Sequence, residues 1–179
     1  AMHTLHTFCT DKITAPAYIA SRIGADALPK RYFATYDVAD LTADRIGQPE
    51  CMIKTKHDSG GIFRVPDTAS EDWGRLQKTI ARRLTRNYFY GDREYQYKPI
   101  RAGVVVEELL APEKKTGVAD IRVYCFNGEP KFLRVTRYDY SSRPAIKLLG
   151  RSLTLDWTPA PYGFSNDLGD PGAPPFGFG

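Results

Sequence analysis

The run Lys54-Thr55-Lys56-His57-Asp58-Ser59-Gly60-Gly61 holds the residue types that a polyphosphate needs. Lysine offsets negative charge. Two glycines let backbone N–H groups approach phosphate oxygens closely and adopt positive φ. Cys51–Thr55 reads as a strand after Pro49, and Ile62–Val65 reads as a second one. The run therefore lies at the glycine-rich tip of a hairpin. It is not a P-loop, because no Gly-Lys-Ser/Thr opens a helix. The plainer alternative is a Gly-Gly turn without a ligand. His57 could act as a base, bind phosphate or simply face solvent.

Two further runs carry chemistry. Val104-Val105-Val106 is β-branched and predicts a buried strand, which leads into Glu107-Glu108-Leu109-Leu110. Such a strand end can offer main-chain groups to a flat base and a carboxylate to ribose hydroxyls, or it can simply end in solvated acids. In Asp120-Ile121-Arg122, the acid and the arginine share one strand face. An arginine there can grip a phosphate or form a cross-strand ion pair.

The elements that position these runs follow from pattern. Ile13, Ala17, Ala20 and Ile23 predict a helix over 15–23 that stops at Gly24. Residues 31–36 read as a short strand, and residues 1–10 as flexible. Thr68 and Glu71 have capping-box spacing ahead of a helix with Trp73, Leu76, Ile80 and Leu84 on one stripe. Residues 120–126 and 131–137 read as two strands about Asn127-Gly128, with Glu129-Pro130 lengthening the turn. Residues 145–149 and 152–156 read as a hairpin about Gly150. Beyond Trp157 the chain is dense in proline and glycine, so 158–179 reads as an irregular tail. This order predicts an α+β fold with largely antiparallel sheet.

Composition sets the outer bounds. The 179 residues are 42% hydrophobic and 26% charged, with a net charge of +4, which fits one ordinary globular domain. No run approaches the ~20 apolar residues of a membrane span, and no secretory signal is visible. Cys9, Cys51 and Cys125 stand far apart, which argues for free thiols in a reducing compartment.

Taken in order, several blocks resemble one family. They are Thr10-Asp11-Lys12, residues 53–61, residues 86–98 (RNYFYGDREYQYK), residues 104–110, residues 120–135 (DIRVYCFNGEPKFLRV) and Leu155-Asp156-Trp157. The series is similar to the ATP-grasp family typified by the teichuronopeptide biosynthesis protein, over about residues 10–157. The resemblance implies a cytoplasmic enzyme that uses ATP and Mg2+. It would activate a small-molecule or glycan-linked carboxylate as an acyl phosphate for an amine or another nucleophile, in surface-polysaccharide or peptide-conjugate biosynthesis. It implies an ATP-grasp-like domain over 11–157, with a lid-type part at about 50–103 and a hinge at 104–110.

By the same resemblance Lys54 binds the α- or β-phosphate. Lys56, His57, Asp58, Ser59, Gly60 and Gly61 belong to a mobile loop over the phosphates. Glu107, Glu108, Leu109 and Leu110 form the adenine hinge, and Arg122, often lysine in relatives, reaches a phosphate or the acyl intermediate. Arg122 and His57 are the catalytic candidates. Asp11 and Lys12 match a block with no role derived for it.

Pro16 departs from an arginine common in relatives. Relatives also continue past the Asp-Trp block with the carboxylates that hold Mg2+. Here the metal ligands are unknown, and Asp156, Asp167 or Asp170 could stand in. The remaining expectations are a fragment, a remodelled member, or a nucleotide-binding remnant completed by an oligomer or partner chain. Three other readings compete. Tyr88, Phe89, Tyr90, Tyr95 and Tyr97 among Arg86, Arg93 and Lys98 could stack single-stranded nucleic acid, although family order and the small charge favour the first reading. His3, His6 and Cys9 have fair metal-ligand spacing but no fourth ligand. A catalytically inactive interaction module is the last.

Overall fold

A computed structural model describes residues 4–110, 120–139 and 147–161. The chain divides into two compact units, Ala1–Leu109 and Leu110–Gly179. The first contains helices α1 (Thr4–Thr10) and α2 (Ala15–Ile23), strand β1 (Arg31–Thr35), helix α3 (Ala43–Ile46), strands β2 (Cys51–Thr55) and β3 (Ile62–Val65), helices α4 (Trp73–Leu84) and α5 (Phe89–Asp92), and strand β4 (Val104–Glu107). The second contains strands β5 (Asp120–Phe126), β6 (Glu129–Asp139) and β7 (Lys147–Leu153).

The first unit is built on a four-stranded antiparallel sheet in the order β1-β4-β2-β3. The β-branched strand β4 takes a central place, and all four of its residues are buried. In β2, Cys51, Ile53 and Thr55 are buried while Met52 and Lys54 alternate with them. Cys51, Ile53, Val65, Val104 and Val106 pack with Ile80 of α4, and Trp73, Leu76 and Leu84 lie against the same cluster. The helix covers one sheet face, and the period of two turns Lys54 and Glu107 toward the other.

The second unit is an antiparallel sheet in the order β5-β6-β7, with Leu133, Val135 and Leu153 buried among Ile121, Leu155 and Trp157. The mixture of helices and antiparallel sheets is α+β, as the element order predicts. Among the described residues no helix is long and apolar enough to cross a membrane.

Residues 4–10 form helix α1. Three local expectations need correction. The cap of α4 is Asp72, which accepts from the Arg75 N–H, whereas the Thr68 hydroxyl donates to the Gln48 carbonyl. The turn between β5 and β6 is only Asn127-Gly128, at φ 52 and 83, because Phe126 already pairs with Glu129. Positive φ at both central residues suits the strand twist. Finally, Gly150 is no turn: it lies within β7 opposite Thr136.

Candidate functional site

The sheet face opposite α4 carries a cluster of charged residues. Lys54 Nζ lies 2.7 Å from Glu107 Oε2. Lys56, whose side chain is 3% exposed, has its Nζ 2.8 Å from Asp11 Oδ2. The Lys12 ammonium donates to the Asp58 carbonyl at 2.7 Å, and among the described residues it forms no ion pair. Burial pushes the Lys12 pKa down; Asp58 opposes this, and repulsion from Lys54 adds to it. Arg31 donates to the carbonyls of Lys12 and Ile13, which fixes the Thr10-Asp11-Lys12 segment against the sheet.

The hairpin tip is tied inward. Thr55 donates its hydroxyl to Asp58, and Arg83 of α4 meets the same carboxylate at 2.8 Å while donating to the Ser59 carbonyl at 2.9 Å. His57 is only 2% exposed, with Nε2 3.4 Å from the Arg83 carbonyl. Among the described residues its buried Nδ1 has no partner. Exposure begins at Ser59 and Gly60. Gly60 has φ +77, and a Cβ on Gly61 would collide with the Thr55 hydroxyl and lie 2.8 Å from Asp58 Oδ1. Glycine at 61 is thus a packing requirement.

At the far end of β4, Glu107 is buried, and Glu108 is held by Lys30. The Glu108 N–H donates to the Lys30 carbonyl at 2.9 Å, and the Lys30 N–H donates to Glu108 Oε1 at 2.7 Å. Among the described residues Leu109 and Leu110 have main-chain groups outside any hydrogen bond. Leu109 is buried and Leu110 exposed.

Arg122 stands in the second unit, with Nε 3.1 Å from Asp120 Oδ2 and both side chains exposed. The pair is formed along one strand rather than across two. The tyrosine-rich segment packs ring on ring, with Tyr88 and Tyr97 centroids 4.8 Å apart and Phe89 and Tyr95 4.7 Å apart. Asp156 is exposed beyond β7; His3, Asp167 and Asp170 lie outside the described residues. Among the described residues no three His, Cys, Asp or Glu side chains converge as metal ligands.

Sequence reasoning noted Lys12 without a role and passed over Arg31 and Arg83. The only local signal for them is charge, and their partners lie far off in the chain.

Neither the comparison with curated proteins nor that with solved structures gives a match. The model of the TupA-like ATPgrasp family matches residues 2–144, most of the chain and every element of the first unit. The glycine-closed hairpin beside the lysines, the central strand ending in Glu107 and this match agree: the chain belongs to the TupA-like ATP-grasp family, whose kind of function is ATP-dependent ligation.

Proposed function

We propose that the protein activates a carboxylate with ATP and passes the acyl group to an amine or another nucleophile, in the assembly of a bacterial surface polysaccharide or peptide conjugate. One observation carries the reading. Lys12 and Lys54 are close enough to repel beside a glycine-closed tip; Asp58, Asp11 and Glu107 attract Lys12 from nearby, but among the described residues it forms no ion pair, whereas Lys54 is held by Glu107. A polyphosphate placed there relieves that repulsion and gains two charge-assisted contacts. Acyl transfer then needs positioning and charge neutralisation more than covalent help from the protein.

In this reading Lys12 and Lys54 meet the phosphates, and Ser59, Gly60 and Gly61 cover them with backbone N–H groups. Leu109 and Leu110 offer main-chain groups to the base, with Glu107 and Glu108 beside the ribose. Lys56, His57 and Asp58 hold the tip in place from inside. Arg122, paired with Asp120 within the second unit, is the residue that the family resemblance assigns to a phosphate or the acyl intermediate. Mg2+ takes one or two carboxylates together with phosphates. Asp11, Asp58 and Glu107 each already hold a cation, so the residues described do not by themselves make a magnesium site.

The test is a calorimetric titration of the chain with ATP, with and without Mg2+. Micromolar binding enhanced by magnesium is the expected result. Absence of binding overturns the reading.

A further inference from the structure

At the C-terminal end of α4 the chain turns through Arg86 and Asn87 into α5. The turn borders a cavity of about 500 Å³ walled by Arg83, Arg86, Tyr88, Tyr90 and Asp92, reaching Asp58 at the hairpin tip. Neither Lys12 nor Lys54 nor Glu107 lines it.

Much of this polar wall is already committed. Arg83 is paired with Asp58. The Asn87 amide donates to the Lys98 carbonyl at 3.0 Å, and its oxygen accepts from the Phe89 N–H at 3.1 Å. Two groups are not committed. Among the described residues, the Arg86 guanidinium and the Asp92 carboxylate form no hydrogen bond or ion pair, either with each other or with anything else.

Two opposite full charges that share one cavity but do not meet define the complement that fits them. A guanidinium takes a carboxylate through two parallel hydrogen bonds, and a carboxylate takes an ammonium. The tyrosine rings add flat apolar surface with polar tips, and Tyr88 is braced edge-on by Tyr97. A purely anionic ligand would face Asp92 unfavourably, and a neutral one would leave both charges unused. We propose that this cavity binds a free α-amino acid, with its carboxylate on Arg86, its ammonium on Asp92 and its side chain against Tyr88 and Tyr90.

Binding stands on the cavity alone; the role of the amino acid rests on the ligase reading, in which it is the acceptor. Its ammonium first gives a proton to water. The freed lone pair attacks the acyl carbon of the acyl phosphate. The bond from that carbon to the phosphate oxygen breaks, its electron pair leaves with phosphate, and a second nitrogen proton passes to that phosphate.

The probes are the twenty standard L-amino acids, tested singly by saturation-transfer NMR without nucleotide, followed by calorimetry on those that bind. At least one is expected to bind. Arg86→Ala and Asp92→Asn should each weaken it at least tenfold, and removal of the α-amino group from that ligand should do the same. Both side chains are exposed, so an unchanged melting temperature serves as the folding control. Silence across the panel overturns the inference, as does binding that survives both substitutions or loss of the amino group. Titration of the same sample with Mg-ATP separates the two readings. Nucleotide binding without amino-acid binding removes the cavity assignment alone, and the reverse removes the ligase reading alone.

Discussion

The ammonium of Lys54 sits 2.7 Å from the carboxylate of Glu107, its diagonal neighbour across the β2–β4 pairing. The positive charge of the candidate phosphate site is therefore held ready by a buried acid, which fixes the lysine but also competes for it. Lys54→Ala removes a charge-assisted contact and should weaken ATP binding by about 1–3 kcal/mol. Glu107→Gln frees Lys54 from its competitor but also removes a carboxylate placed beside the ribose, so the two effects oppose and ATP binding should change less than in Lys54→Ala. Calorimetry on both variants checks the pair, and unchanged affinity in Lys54→Ala rules out the phosphate role of that lysine.

Gly61 and Gly60 adjoin in sequence yet should respond differently to alanine. At Gly61 the added carbon meets the Thr55 and Asp58 side chains, which hydrogen-bond to each other in the buried tip. The tip must open, so Gly61→Ala should cost about 3 kcal/mol or more, the upper range for overpacking. At Gly60 the nearest atom to that carbon is the Arg83 guanidinium at 3.9 Å, and only the φ of +77 opposes a side chain. That strain is worth roughly 1–2 kcal/mol. Urea melts of the two variants give the comparison.

Cys51 is fully buried in the core of the first unit, while Cys9 and Cys125 are exposed. Burial, with a smaller push from Glu71, raises the Cys51 thiol from 9.0 to about 12. An aromatic disulfide reagent at pH 8 should modify Cys9 and Cys125 quickly and Cys51 only on unfolding. The sign for stability follows. Above pH 9 the unfolded thiol ionises and the folded one does not, so this group lowers stability progressively from about pH 9 to about 12. Rapid modification of all three thiols in the native protein would remove the claim.

The elements most legible in the sequence were those with one dominant period. The alternation in Cys51–Thr55, the β-branched Val104–Val106 and the stripe Trp73, Leu76, Ile80 and Leu84 each bury a single face, and tertiary packing left them unchanged. Signals that rest on one residue transferred less well. Thr68 and Glu71 satisfied a capping pattern, but Asp72 lies nearer the helix start and takes the N–H of Arg75. Gly150 resembled a turn, yet a glycine within a strand is tolerated where a neighbour approaches, here the Arg134 side chain at 3.5 Å from an added carbon. In the site, the cations could be found by type but not by partner. Lys54 and Glu107 are 53 residues apart, Lys12 and Asp58 46, and Arg83 and Asp58 25. Only the assembled sheet determines which acid meets which base.

Lys12 leads to a prediction in which sign matters. Its burial lowers the ammonium pKa, with repulsion from Lys54 adding to the shift and Asp58 opposing it. Between that lowered value and the ordinary lysine value, the unfolded chain holds the proton and the folded chain releases it. This group therefore raises stability as pH increases through that window, the reverse of Cys51. An ATP polyphosphate near Lys12 favours the charged form and restores the pKa. Nucleotide binding within that window should then take up a proton at this site. Calorimetry at a series of pH values below the ordinary lysine value of 10.5, in buffers of different ionisation enthalpy, measures that uptake directly. Lys12→Met should abolish it while leaving the Lys54 contribution in place. If uptake is equal in the wild type and in Lys12→Met, Lys12 does not face the phosphates.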